Sequence, residues 1–454
     1  MRASQAEAMA RSRALTVGCS VSRVLYPVYR GEQTMDFSLS AEQREWVEKA
    51  RALRPLLQAN AVKYDREAAF PAENFAELIK QKFHLLQVPK EFGGFNPQVR
   101  GSLGMTQFAV AEELARACPT TAWNLLIHFH QVGLVSRMGS EEQKERWLGQ
   151  IVNDDALMGS LGSEVNPRQF KAENVATKLT FDSLFEPVEG GFRASGEKHF
   201  CSMAPAADLL AFWALAPGAK SNGEGLVISI VPRTAAGLSF EDSWSESIGL
   251  RGTVSWTAKL DNVFIPWQDV MGEPGDFVQK DPYTYECSHA AHLVGCAQGI
   301  VDNIVAFIKA RDYLSRDEVL MYNLAEIDSG LQAARSSYTY AVWLWDQERF
   351  DEAMLASYRA LHTSKKVALN AADKAFEICG ARALFTFHPF ERFWREVKAS
   401  MLHTRDTQLM GQLATGILTD GRQFSKTKYG QKLDRPVTWR DLGFNREEKL
   451  SAIA

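Results

Sequence analysis

Two histidines and two hydroxyl-bearing segments are the residues of this chain best suited to chemistry. His403 lies in Leu402-His403-Thr404, just after the aromatic and arginine-rich run Phe390-Glu391-Arg392-Phe393-Trp394-Arg395-Glu396-Val397. His128 closes Trp123-Asn124-Leu125-Leu126-Ile127-His128. An imidazole titrates near neutrality, so either ring can deliver and retain a proton. Gly159-Ser160-Leu161-Gly162-Ser163-Glu164 joins small residues to hydroxyls, which lets backbone amides approach a planar ring or an anion. Ser202 ends the second segment, Gly196-Glu197-Lys198-His199-Phe200-Cys201-Ser202. The six cysteines (Cys19, Cys118, Cys201, Cys287, Cys296, Cys379) form no Cys-x-x-Cys pair. No cysteine or carboxylate pattern completes the His128-x-His130 pair, so no metal site is expected.

The elements that must position these residues follow from patterning. Apolar residues recur at helical spacing through Trp46, Ala50, Leu53 and Leu57, and again through Phe108, Val110, Leu114 and Ala117. Runs such as Leu209 to Ala214 and Leu226 to Val231, separated by Gly/Pro/Asn turns, read as antiparallel strands. Helical spacing then returns in long stretches broken near Leu314-Ser315, Arg349-Phe350 and Gly380. The expected order is an N-terminal helical domain over 35–153, a β-barrel domain over 154–275 and a C-terminal helical bundle over 276–433. A charged tail over 434–454 is expected on the surface. Helices, strands and helices in one chain make an α+β protein. The aromatic cluster Tyr338, Tyr340, Trp343 and Trp345 reads as the seam of the bundle rather than a ligand box.

With 454 residues and a net charge of −4, the chain carries no electrostatic footprint for nucleic acid or an anionic membrane. No apolar run reaches the roughly 18 residues that a membrane span needs. Scattered cysteines fit a reduced, cytoplasmic setting. Residues 1–34, with five arginines (Arg2, Arg11, Arg13, Arg23, Arg30), read as a leader or a disordered extension.

Several blocks resemble the acyl-CoA dehydrogenase superfamily in order and spacing. They include the loop Pro89 to Gly94, the helix segment Glu112 to Ala115, and Gly196 to Ser202. Ile248-Gly249-Leu250-Arg251-Gly252-Thr253-Val254-Ser255, Asp261-Asn262-Val263-Phe264-Ile265-Pro266 and the run ending at Thr404 complete the set. The resemblance implies a helical domain, an antiparallel β-barrel and a four-helix bundle, assembled as a homotetramer with flavin between barrel and bundle. It places Ser202 against the flavin N5, and Ser160, Ser163 and Arg251 beside the cofactor. Arg311 matches the family's arginine that reaches FAD on a neighbouring subunit, but the Phe-Gly that should follow is absent. The adenosine-cradling glycine pair is reduced to Gly380-Ala381. FMN and FAD both stay open.

The departures decide the expected activity. In the dehydrogenases a Tyr-Glu pair carries the base, and those slots fall on His403 and Thr404; the alternative base slot falls on His289. A threonine hydroxyl cannot abstract an α-proton as a tuned carboxylate does. His403 instead resembles the histidine of the two-component flavin monooxygenases of this fold, the dibenzothiophene-type enzymes and aromatic hydroxylases. That branch implies reduced flavin from a separate reductase, O2, a C4a-hydroperoxyflavin, and a small aromatic or heteroatom substrate. His403 and Ser202 would flank the flavin and His128 the substrate. Two alternatives remain at this stage: an FAD-dependent acyl-CoA dehydrogenase using Glu286, three residues from His289, and a non-catalytic flavin-fold scaffold.

Overall fold

The computed structural model of the chain describes residues 37–96, 104–165, 181–280, 286–418 and 433–444. The extension expected over 1–34 lies outside the described residues.

Helix α1 (Ala41–Glu67) starts at a reciprocal capping box: the Ser40 hydroxyl accepts from the Gln43 amide, and the Gln43 side chain accepts from the Ser40 amide. It is followed by α2 (Ala72–Lys80), α3 (Met105–Ala115), α4 (Pro119–Met138) and α5 (Glu141–Asn153). Pro119 opens α4 at the one helical turn where a missing N–H costs nothing. Residues 119–136 of α4 are all buried, so this helix runs through the centre of the domain instead of over its surface.

Among the described residues the middle of the chain forms eight strands: β1 (Met158–Leu161), β2 (Leu184–Val188), β3 (Gly191–Cys201), β4 (Leu209–Leu215), β5 (Leu226–Pro232), β6 (Leu238–Glu241), β7 (Trp256–Pro266) and β8 (Val270–Met271). They make two four-stranded sheets, ordered β1-β4-β5-β8 and β2-β3-β7-β6. The expected closed antiparallel barrel is therefore corrected. The two sheets are separate, and β1 runs parallel to β4. Alternating strand sequences look alike in open and closed sheets, because closure depends on tilt and shear. Strand β3 loses register with β7 between Lys198 and Cys201, and Phe200 there takes a positive φ of 57°. Beyond this irregularity only Cys201 still pairs, with Trp256, and Ser202 follows just outside the strand.

The described residues of the C-terminal helical domain form three long helices, α6 (Glu286–Lys309), α7 (Glu318–Asp346) and α8 (Phe350–Cys379), and two shorter ones, α9 (Phe390–Met401) and α10 (Asp406–Leu418). Tyr338 and Trp345 are buried in the seam, as expected of a core cluster. Helix α6 is long and apolar enough to cross a membrane, with mean hydropathy 1.5, yet 72% of that stretch is buried inside the protein. It is a core helix.

The described part of the tail, 433–444, is largely exposed but is anchored by one buried residue. Trp439 is 1% exposed, with its ring packed on Trp267 and Phe192 at centroid distances of 5.1 and 5.5 Å. Its indole N–H donates to the Gly272 carbonyl at 3.0 Å, and its backbone N–H to the Glu273 carboxylate at 2.7 Å. One buried tryptophan anchors a segment whose charged neighbours read as surface.

Candidate functional site

A cavity of about 560 Å3 opens where α4, the end of β3, the loop before β7 and the end of α9 converge. Its size suits a small-molecule or cofactor ring system. Trp123, Phe200, Trp213 and Trp244 give it aromatic walls, and Ser160, Ser163, Ser202, Thr253 and Ser255 add hydroxyl-bearing residues to its lining. Among the described residues that line it there is no aspartate or glutamate.

Four of the residues expected from sequence meet here: His403, Ser202, Ser160 and Ser163. His403 sits in the turn after α9, with its amide bonded to the Ser400 carbonyl at 3.3 Å. Its ring meets the edge of Trp123 at 5.4 Å and lies 4.2 Å from the ring of His289. Trp123 in turn stacks on His289 at 5.0 Å and 17°. Thr404 is buried behind this surface, its carbonyl accepting from the Lys365 ammonium.

The Ser160–Ser163 loop is clamped from below. The Glu164 carboxylate pairs with Lys198, whose side chain is fully buried and also donates to the Trp213 carbonyl. Glu164 accepts from the Ser183 hydroxyl at 2.6 Å as well. Burial pushes the Lys198 ammonium below its ordinary range, and the Glu164 charge pulls the other way. Gly162 keeps the loop thin: a Cβ there would meet Ser160 Oγ at 2.9 Å and the Trp213 ring at 3.4 Å.

Ser202 heads a row of hydroxyls. Its Oγ lies 2.8 Å from Ser255 Oγ, which lies 2.7 Å from Thr253 Oγ1, which donates to the Leu250 carbonyl at 2.7 Å. The same carbonyl accepts from the Trp244 indole at 2.8 Å. Gly249 is required just before it, since a Cβ would sit 2.3 Å from the Arg395 carbonyl of α9.

The remaining expected residues lie elsewhere. His128 is fully buried and does not line the cavity. Its Nε2 donates to the His84 carbonyl at 2.9 Å, and its Nδ1 accepts from the Met158 amide at 3.0 Å. Burial, aided by nearby His84, lowers its pKa to about 3, so the ring is neutral. His130 and Gln131, two and three residues on, do line the cavity. Arg251 points into a second cavity of about 400 Å3, where its Nε donates to the Ser245 carbonyl at 2.9 Å. Asp65, Glu391, Arg392 and Arg395 share that second cavity, and Arg395 grips Asp65 with two bonds of 2.9 and 2.6 Å. Arg311 packs over the Phe307 ring, and Gly380 and Ala381 are exposed at the end of α8; none of these three lines the main cavity. Glu286 is buried at the start of α6 and does not line it either.

Sequence reasoning missed the aromatic walls, Trp123, Phe200, Trp213 and Trp244, and left His130 without a role. Phe200 stood in a quoted motif, and its 60% exposure at the strand end is a structural signal without a sequence counterpart.

Comparison with known proteins gives a consistent family. Residues 40–155 match the acyl-CoA dehydrogenase N-terminal domain and residues 287–406 the acyl-CoA dehydrogenase C-terminal domain, together just over half the chain. Dibenzothiophene monooxygenase of Rhodococcus erythropolis is 26% identical over 392 residues, covering 80% of this chain and 90% of that protein. FMN-bound TdsC from Paenibacillus sp. A11-2 has a TM-score of 0.75 at 20% identity, covering 85% of this chain and 100% of that one. A glutaryl-coenzyme A dehydrogenase with glutaryl-CoA has a TM-score of 0.76 at 22% identity, covering 88% and 100%. The two folds match equally well, so the backbone does not separate oxygenase from dehydrogenase.

Proposed function

This chain belongs to the acyl-CoA dehydrogenase superfamily, and from that premise we propose that it is a flavin-dependent monooxygenase acting on a small aromatic or heteroatom-containing substrate. The observation that carries this reading is the cavity wall. Where a dehydrogenase needs a carboxylate base, the described lining offers His403 and no acid.

The cavity suits a flavin. Aromatic walls accept the faces of an isoalloxazine, and the hydroxyls of Ser160, Ser163 and Ser202 suit its polar edge. Thin backbone at Gly162 lets that edge come close. Reduced flavin, FMN or FAD, supplies the electrons that activate O2. Ser202 would hold the flavin near N5, and Ser160 and Ser163 would hold its polar edge. His403 holds and returns a proton on its imidazole, with its ring fixed against Trp123 and His289. His130 and Gln131 orient the substrate, while His128 supports the fold beneath them. Trp123, Trp213 and Trp244 exclude water.

The partners follow from the same reading: a separate flavin reductase, O2, and further copies of this chain in a homotetramer in the cytoplasm. Exposed Leu384, Phe385, Phe387 and Leu418 support burial against another copy. Arg311, Gly380 and Ala381 would then reach a neighbouring subunit's flavin, with Arg251 serving the flavin of its own chain through the adjoining cavity.

The test is turnover with reduced FMN regenerated by an unrelated reductase, 18O2, and dibenzothiophene or indole as substrate. One 18O atom in the product supports the proposal. Bleaching of bound oxidised flavin by a short acyl-CoA, lost in Glu286→Gln, would instead establish the dehydrogenase.

A further inference from the structure

We infer that Thr253 and Ser255 are positioning residues that fix the hydrogen-bond polarity of Ser202 and so make the cavity select reduced over oxidised flavin. This rests on the flavin reading above. The argument is proton counting. A carbonyl cannot donate, so the single Thr253 hydroxyl proton is committed to the Leu250 oxygen at 2.7 Å. Thr253 Oγ1 must then accept from Ser255 at 2.7 Å, which uses the only Ser255 proton. Ser255 must accept from Ser202 at 2.8 Å, which uses the only Ser202 proton. Every hydroxyl in the row points the same way, and Ser202 faces the cavity with lone pairs alone.

The row is well placed to keep that direction. Thr253 is 1% exposed and Ser255 3% exposed, so water competes poorly for their protons. Ser202, half-buried at the irregular end of β3, is the most exposed member of the row, with Ser255 and Thr253 lining the cavity behind it. The anchoring Leu250 carbonyl is itself held by the Trp244 indole, another cavity wall.

A ligand therefore bonds Ser202 only by donating to it. Reduced flavin carries a hydrogen on N5 and can donate; oxidised flavin presents a lone pair there and meets an acceptor. The site favours the form that reacts with O2 and releases the form left after turnover.

The experiment titrates the full chain with oxidised FMN in air and with photoreduced FMN under anaerobic conditions, and compares the two dissociation constants. Wild type should bind reduced FMN more tightly. Ser255→Ala frees the Ser202 proton, and Thr253→Val frees that of Ser255. Each should lower the ratio of oxidised to reduced dissociation constants about tenfold, chiefly by tightening oxidised FMN. That change equals a fall of about 30 mV in the two-electron potential of the bound flavin. Thr253→Ser, which keeps the hydroxyl, should retain the wild-type ratio. An unchanged ratio in Ser255→Ala or Thr253→Val would overturn the inference, as would a Thr253→Ser ratio as low as that of Thr253→Val. Failure of the wild type to bind FMN in either state would overturn the flavin reading itself, and this inference with it.

Discussion

The ring of His403 lies 4.2 Å from the ring of His289, although 114 residues of chain separate them by number. In the family resemblance His289 fills one of the two places for a dehydrogenase base, and His403 stands next to the other, Thr404. The fold brings both to one spot beside Trp123, and neither carries a carboxylate. The adjacent Thr404, at the slot of the missing glutamate, has turned its carbonyl to Lys365.

His403→Ala should uncouple the enzyme. Reduced FMN and O2 would still be consumed, but product formation should fall roughly 10²-fold, the usual scale for losing a positioned proton donor. Hydrogen peroxide should appear in its place, measured with a peroxidase-coupled dye. Unchanged coupling would remove His403 from the mechanism.

Lys198→Met should destabilise the chain by about 3–5 kcal/mol, because it strands the buried Glu164 charge. Urea unfolding followed by tryptophan fluorescence reads this directly. The double variant Lys198→Met/Glu164→Gln should recover part of the loss, since no lone charge remains. Equal stability of the single variant and the wild type would mean that the pair does not clamp the Ser160–Ser163 loop.

His128 makes a pH prediction. Its folded-state pKa is depressed to about 3, so as pH falls below 6.5 the unfolded chain takes up the proton first. Its stabilising contribution is complete above pH 6.5 and is lost as pH falls toward 3, on the order of 4 kcal/mol across the window. Protonation would also set an Nδ1–H against the Met158 amide. His128→Gln should flatten the stability curve between pH 6.5 and 4 and leave product formation per folded enzyme within a few-fold. A selective loss of turnover would return His128 to the substrate side.

The contrast between His128 and His130 shows how far the sequence could be read. Their presence on one helix was legible, but two residues turn a helix by about 200°, so only one of them can face the cavity. The spacing marked the helix without marking its inner side, because α4 is buried all round. Ser160, Ser163, Ser202 and His403 were legible because ordered motifs carry them. Trp213 and Trp244 were not, since they come from β4 and a loop with no motif. The hydroxyls of Thr253 and Ser255 stood in a quoted block, yet their direction depends on the Leu250 carbonyl, which only the folded loop brings within 2.7 Å. Sheet closure was misread because strand alternation is indifferent to it.

The docked tail gives the last prediction. Trp439 fills a pocket between Trp267, Phe192 and Phe444 and makes two polar bonds to the Gly272–Glu273 turn. Trp439→Ala would leave a large void against the β2-β3-β7-β6 sheet and remove the indole bond to the Gly272 carbonyl, at a cost of about 3–5 kcal/mol. Trp439→Phe keeps most of the ring but not the indole N–H, and should cost about 1–2 kcal/mol. The sheet it braces includes β3, whose far end carries Ser202, while the tail itself does not line the cavity. Both variants should therefore lower the urea midpoint in that order, with little change in FMN affinity at a temperature where each is folded. If Trp439→Ala unfolded at the wild-type midpoint, the segment would be only resting on the surface, as its charged sequence first implied.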